Sequence, residues 1–240
     1  MSKSKIEYCD FTWNPMLGCK HNCTKKTIGF DCYAEVMNRR FKMIPDWREP
    51  QFFHDRILKT GLPRKPSIIF VGSMTDIMGN WWSYEQINAV LKVIRSRKEH
   101  IFMLLTKNPK RYVEFDYPAN IMLGQTITHT KPIPAIGFKD NSTFEFSSFP
   151  VMRQMQNRGY KVFFSIEPIL GKIDYEQVSF ADLLIVGADT SKNPVIPKEE
   201  WIDYLPFQMT LWKSNIRKYY PELPEINKDI IWKLFKNNKL

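Results

Sequence analysis

The chain has 240 residues, 43% of them hydrophobic and 25% charged, the proportions of a globular protein that can bury a core rather than of a disordered or fibrous one. Its longest apolar runs, IFMLL and LLIV, are too short to span a bilayer, and the opening MSKSKIEYCD lacks the apolar stretch of a secretion signal. A cytoplasmic location without a membrane partner is therefore expected, while an excess of 35 Lys and Arg over 25 Asp and Glu, a net +10, makes nucleic acid a candidate partner.

Taken in chain order, IEYCDFTW (6–13) reads as a first strand. CYAEVMNRRFKMI (32–44) reads as a helix that starts at or just after Cys32. Residues 44–66, rich in proline and aromatics, match no element. SIIFVG (67–72) is the next strand. SYEQINAVLKVIRSRKE (83–99) is a helix with Ile87, Val90, Leu91 and Ile94 on one face; Ser83 and Gln86 are spaced as a capping box and the basic residues gather near its end. HIFMLLT (100–106) and NIMLGQTIT (120–128) are strands. The stretch 130–150 again matches no element and has the character of a lid or binding loop. PVMRQMQNRGYK (150–161) is a helix stopped by Gly159. KVFFSIEP (161–168) and DLLIVGA (182–188) are strands, PKEEWIDYL (197–205) a fourth helix, and QMTLW (208–212) a last strand.

These strands are continuous apolar runs rather than alternating ones, as in parallel sheets covered on both faces. Strands alternating with helices at such spacing mean βα units. The expected fold is an α/β open or partial (β/α) barrel of about six or seven mostly parallel strands, with a doubly wound sheet as the alternative. A single domain over 1–220 with a basic helical extension over 221–240 is expected. In either fold the chemistry sits at the C-terminal ends of the strands. There the sequence places GSMTD (72–76), LTKNP (105–109), QTITHT (125–130), SIEP (165–168) and GADTS (187–191).

The densest chemistry is in GCKHNCTKKTIGFDCYAE (18–35), where Cys19, Cys23 and Cys32 fall within fourteen residues and His21 lies inside the first gap. In a reducing cytoplasm such a set points to metal or reactive thiols rather than disulfides. Thiolates suit zinc or iron–sulfur clusters, but a single close pair at x3 spacing departs from the paired C-x2-C knuckles of zinc sites. Cys9, in an apparent strand, reads as a small core residue. Three thiolates would leave one iron of a four-iron cubane without a protein ligand. Gly18 and Gly29 flank the set, and Tyr33 follows its last member.

In their order these motifs resemble a family of phage-associated, radical-SAM-like proteins. The resemblance rests on FTWNPMLGC, DCYAE, VGSMTD, LLTKNP, LGQTIT, SIEPILGKI and LLIVGAD, spread over residues 6 to 215. It departs from the family pattern in the eight residues between Cys23 and Cys32, in Cys9 before the early aspartate, in Thr128 and His129 where the family has a glutamate, in Ala188 and Asp189, and in Lys213 and Ser214. What the resemblance implies is a [4Fe–4S] cluster on Cys19, Cys23 and Cys32, S-adenosylmethionine chelated to its fourth iron, and a 5′-deoxyadenosyl radical that abstracts hydrogen from a substrate such as a nucleic-acid base. It implies an electron donor as well. The strand-end residues suit matching duties. Ser73 and Thr75 can hydrogen-bond the amino or ribose groups of the ligand, Asp76 can pair with its ammonium or ribose, and Lys107 can meet a carboxylate or phosphate. Glu167 can accept ribose hydroxyls or orient the substrate, and Tyr33 can pack over the cluster loop. Structural duties compete at each position: Asp76 as a turn cap, Glu167 as the ion-pair partner of Lys107, Trp81 and Trp82 as core anchors rather than stacking platforms. A zinc-bearing nucleic-acid-binding protein, or an iron–sulfur scaffold without S-adenosylmethionine chemistry, are the alternatives.

Overall fold

The computed structural model describes residues 2–24, 31–130 and 148–236. Its elements run β1 (Ser2–Lys3), β2 (Phe11–Trp13), β3 (Met16–Leu17), α1 (Tyr33–Phe41), β4 (Gln51–Phe52), α2 (His54–Leu58), β5 (Ile68–Val71), α3 (Tyr84–Ser96), β6 (Ile101–Thr106), β7 (Ile121–Ile127), α4 (Phe149–Asn157), β8 (Lys161–Ile166), α5 (Tyr175–Val178), β9 (Leu183–Val186), β10 (Thr210–Trp212), α6 (Ser214–Arg217) and α7 (Asp229–Lys236). Eight strands form one sheet in the order β1-β2-β5-β6-β7-β8-β9-β10. Every neighbouring pair from β2 to β10 is parallel, and only the edge strand β1 is antiparallel. Apart from β3 and β4, which pair with each other, the strands follow sequence order and the order never reverses. That rules out the doubly wound alternative, which needs a switch point, and leaves the open (β/α) barrel.

Both faces of the sheet are covered, which is why its strands read as unbroken apolar runs. On the outer face Ile69, Val71, Phe102, Leu104, Leu123 and Phe164 pack against Ile87, Val90, Leu91 and Ile94 of α3 and Met152 and Met155 of α4. Helix α3 starts as its sequence requires: the Ser83 hydroxyl accepts from Gln86 N–H, and the Gln86 side chain accepts from Ser83 N–H. The inner face carries Ile68, Phe70, Met103, Met122, Phe163 and Ile185, and the C-terminal helix lies over it through Ile231, with Trp232 and Phe235 packed alongside. At Gly124 a Cβ would stand 2.2 Å from the Phe163 ring, so the strand needs glycine there for the ring to lie flat on its backbone.

Two local expectations change. The fourth helix, over PKEEWIDYL, is reduced to a 3-10 turn at Glu199–Trp201; Ile202 and Leu205 are nonetheless buried, so the apolar pattern is met by turn packing. Residues 44–66 are not element-free, since β4 and α2 lie there and β4 pairs with β3 just before the cysteine loop. Most of the 130–150 stretch, residues 131–147, lies outside the described residues.

Candidate functional site

The loops leaving β2, β5, β6, β8 and β10 meet at the C-terminal edge of the sheet. Asn14, just after β2, knits the first two together. Its side-chain oxygen accepts from Ser73 Oγ at 3.2 Å and from Met74 N–H at 3.1 Å, while its amide donates to Ser73 Oγ at 3.0 Å. Ser73 therefore sits on the rim with its hydroxyl bound to Asn14, and its carbonyl accepts from the Tyr33 hydroxyl across the loop. Thr75 is engaged differently: its hydroxyl donates to Gly18 O at 2.6 Å, next to a backbone bridge between the same two residues. Gly18 has φ +92°, and a Cβ there would meet Pro50 Cα at 2.8 Å and Trp47 O at 2.9 Å. Only glycine lets the chain turn this tightly into Cys19.

Asp76 is the hub. It is buried, and each carboxylate oxygen accepts two bonds. Oδ1 takes the Thr106 hydroxyl at 2.6 Å and Met78 N–H at 3.0 Å. Oδ2 takes Lys107 N–H at 2.8 Å and faces His21 Nε2 at 2.7 Å. Burial alone would raise its pKa, but the bonds from His21, Thr106 and Lys107 N–H outweigh that and hold it below the ordinary value. Its bond to Met78 is the turn cap weighed from sequence; the other three join β5, β6 and the cysteine loop at one carboxylate. Trp82 is a core anchor, buried with its indole N–H on Asp76 O at 3.0 Å. Trp81 stands edge-on to His21 with ring centres 5.1 Å apart.

Cys23 is buried, and Cys19 and Cys32 are half-buried against Leu17, Ala34, Ile44, Trp47 and Met74. Cys23 and Cys32 lie side by side, Cys32 N–H donating to Cys23 O at 3.3 Å. Cys32 is also the N-cap of α1, as its sequence position suggests. Burial pushes the Cys19 thiol up to about 12, with Asp76 adding to the effect, and it raises Cys23 as well. The Lys107 ammonium stands within the field of all three sulfurs. Burial works to lower its pKa, but Cys23, Asp76, Cys32 and Cys19 together raise it and keep it charged. Arg48 braces the loop from outside, donating to Cys19 O at 3.4 Å and to Asn22 Oδ1 at 3.3 Å while pairing with Glu35 at 2.8 Å. Among the described residues no three His, Cys, Asp or Glu side chains are arranged to hold a metal ion. The thiols thus fit a metal centre by donor type and shared location, without a preformed coordination shell. Gly29, expected to flank the set, lies outside the described residues.

Glu167 lies on the same edge after β8, but its ion-pair partner is not Lys107. Its carboxylate takes Lys213 Nζ at 2.6 Å and the Ser165 hydroxyl at 3.2 Å, and it lies within the field of the Tyr8 and Tyr33 hydroxyls. Lys213 follows β10, and Asn215, two residues on, closes the neighbouring strand end: Asn215 Oδ1 accepts from Ala188 N–H at 3.1 Å and its amide donates to Ala188 O at 3.0 Å. The rim thus has two halves, one built on Asp76 with Lys107 and the cysteines, the other on Glu167 with Lys213.

Comparison with known proteins places this arrangement. A family model described as a protein of unknown function, DUF5131, matches residues 3–214. The chain belongs to the DUF5131 family. No curated protein matches it. Among solved structures, this DUF5131 member is similar to spore photoproduct lyase complexed with dinucleoside spore photoproduct, at 13% identity and a TM-score of 0.51. It is likewise similar to a mutant of that lyase with bound AdoMet and dinucleoside spore photoproduct, at 12% identity and a TM-score of 0.50. Each match covers 78% of this chain and 58% of the lyase chain, so the protein spans somewhat more than half the length of these structures. At such identity the likeness is one of fold. No helix among the described residues is long and apolar enough to cross a membrane.

The site of this DUF5131 member gives several residues partners that the sequence does not mark. His21, inside the first cysteine gap, is the partner of Asp76. Asn14 belongs to the quoted TWNP stretch, yet its polar neighbours are fifty-nine and sixty residues away. Lys213, noted from sequence only where the chain departs from the family pattern, is the partner of Glu167, and Asn215 stands in no local pattern that marks it. Thr128 and His129, at the end of β7, are buried and bonded to each other at 2.7 Å between Oγ1 and Nδ1; burial lowers the His129 pKa.

Proposed function

We propose that this chain is a radical S-adenosylmethionine enzyme, with a [4Fe–4S] cluster held by Cys19, Cys23 and Cys32 and S-adenosylmethionine bound on the strand-end rim. The observation that carries the reading is the placing of three thiols in one loop at the C-terminal edge of a parallel sheet, with Cys32 N–H on Cys23 O and the buried Asp76 joining that loop to Lys107. Soft sulfur donors suit an iron–sulfur cluster. Buried thiolates need compensating positive charge, which Lys107 and the metal would share. When bound, the cluster and S-adenosylmethionine supply a 5′-deoxyadenosyl radical that takes a hydrogen atom from substrate.

The chain's own residues do the rest. The Lys107 ammonium makes no hydrogen bond to a described residue and is charged, so it can receive the ligand carboxylate. Asp76 holds Lys107 in place through the backbone and holds the cysteine loop through His21. Asn14 fixes the Ser73 side chain on the rim, where the oxygen's remaining lone pair can accept from the ligand's amino group or ribose, and Thr75 ties the loop down at Gly18. Tyr33 spans from α1 to Ser73 and covers one side of the rim. Glu167, paired with Lys213, faces the substrate half. The substrate class we favour is a nucleic-acid base. A net charge of +10 supports it, as does the dinucleoside held by lyase structures of similar fold. The chemistry also calls for a protein or small-molecule electron donor.

Anaerobic reconstitution tests this directly. The expected product is brown protein with about four irons per chain that converts S-adenosylmethionine to 5′-deoxyadenosine under reductant, with Cys19→Ala, Cys23→Ala and Cys32→Ala each losing the cluster spectrum. Colourless protein that takes up one zinc and cleaves no S-adenosylmethionine under any reductant would replace this reading with the zinc alternative.

A further inference from the structure

The other end of the sheet holds a cavity that the rim chemistry does not use. It has a volume of about 520 Å³ and lies where the start of β2, the segment 63–67 before β5 and the start of α7 meet. Ser67 at this end and Gly72 at the rim are five residues apart along β5, roughly 16 Å at the rise of an extended strand, so the two sites are separate. Four cations line the cavity: Lys3, Arg64, Lys65 and Lys228. The single carboxylate is Asp10, and it is already taken, accepting from Lys228 and from Ile68 N–H. Lys3, Arg64 and Lys65 are exposed and have no carboxylate partner among the described residues. Pro63 and Pro66 bracket the Arg64–Lys65 pair, and their fixed φ angles limit how far that short loop can move.

The rest of the lining is of a different kind. Phe11 is half-buried, and together with Pro63 and Pro66 it gives the cavity an apolar wall. Ser4 Oγ accepts from Ile6 N–H at 2.9 Å and from the Cys9 thiol at 3.2 Å, so its own hydrogen is left to donate elsewhere. Unpaired cations beside an aromatic wall, in a cavity of ligand size, match a molecule that is anionic at one end and flat and apolar at the other. We propose that this cavity binds a nucleotide, with its phosphate on Lys3, Arg64 and Lys65 and its base against Phe11 and the prolines. The nucleotide can be free or part of a nucleic-acid strand, and the site stands whether or not the rim carries radical chemistry.

Calorimetric titration of the full chain tests it, with adenosine monophosphate, adenosine, inorganic phosphate and a short single-stranded deoxyoligonucleotide as probes. Adenosine monophosphate should bind one per chain and more tightly than adenosine or phosphate alone. The Arg64→Gln/Lys65→Gln double variant, on an exposed loop, should weaken it by at least about tenfold. Lys3→Gln, on the edge strand, provides a second measurement independent of that loop and should also weaken binding. Tighter binding of the oligonucleotide supports a strand as the ligand, and equal binding supports a free nucleotide. No binding of either nucleotide probe by the parent overturns the proposal, as does unchanged affinity in both variants or phosphate binding as tightly as the nucleotide.

Discussion

Replacing Asp76 with asparagine tests whether this residue holds the rim together. The substitution conserves shape and volume, so any effect comes from charge and hydrogen bonding. Each carboxylate oxygen accepts two donors, one of them a backbone N–H: Met78 on Oδ1 and Lys107 on Oδ2. An amide has one oxygen and one NH₂ group, so in either orientation its NH₂ meets one of those backbone N–H groups. Thr106 and His21 can adjust, the first by rotating its hydroxyl and the second by changing tautomer, but a backbone donor cannot. One buried N–H is therefore orphaned, at about 1–3 kcal/mol, and the charge-assisted part of the remaining bonds is lost as well. A total of about 2–4 kcal/mol is expected. In a chain of this size that lowers Tm by roughly 4–16 °C. The assay is thermal unfolding by circular dichroism, with limited proteolysis to see whether the cysteine loop is cut first. Because His21 ties the loop to Asp76 and nothing comparable ties it to β6 directly, the loop should become protease-sensitive below the new Tm. A Tm within about 2 °C of the parent, with the loop still protected, would refute the four-bond account.

Other outcomes follow from the same structure. Gly124→Ala drives a methyl into the Phe163 ring and should destabilise by about 1–3 kcal/mol, and Gly124→Ala/Phe163→Leu should recover part of that in a denaturant titration. Burial holds the His100 imidazole below its ordinary 6.5, against the raising field of Glu99 and with the lowering field of Arg97. The unfolded chain therefore takes a proton that the folded chain refuses, so stability should be flat above about pH 6.5 and fall as the pH drops below it; in His100→Gln the melting temperatures across that range should lose this component of the slope. Glu167 and Lys213 are both mostly shielded, at 20% and 18% side-chain exposure. A Glu167→Gln, Lys213→Met double-mutant cycle should accordingly give a coupling of about 0.5–3 kcal/mol, and additive single effects would mean that the pair does not hold the second half of the rim. A single Cys19→Ala substitution, measured without metal, removes only the sulfur of a half-buried side chain at the edge of the Leu17, Ala34, Ile44, Trp47 and Met74 cluster, so it should cost no more than about 1 kcal/mol; a larger loss would assign it a central packing role.

How far the sequence can be read differs sharply between local and long-range features. The capping box of α3, the burial of Ile87, Val90, Leu91 and Ile94, the parallel strands and the start of α1 at Cys32 are legible because each is set by neighbours a few residues away. Period and cap chemistry act within one turn or one strand. The 197–205 segment shows the limit of that logic: an apolar pattern buried Ile202 and Leu205 yet did not specify a helix, since a turn can satisfy the same burial. The strand-end clustering of polar residues was also legible, because a parallel sheet brings its C-terminal ends to one edge whatever the loops contain.

Which rim residues touch was settled only by the tertiary structure. His21 reaches Asp76 across fifty-five residues and Glu167 reaches Lys213 across forty-six, and the expectation that Glu167 pairs with Lys107 fails although β6 and β10 each lie two strands from β8, because the Glu167 carboxylate turns to Lys213. Those pairings depend on sheet order and on where each loop leaves its strand. No single sequence encodes either locally, because the free energy that selects them comes from burying the whole sheet at once. The same holds for α7: the sequence marks a basic helical extension, but only the inner face of the sheet gives Ile231 something to pack against.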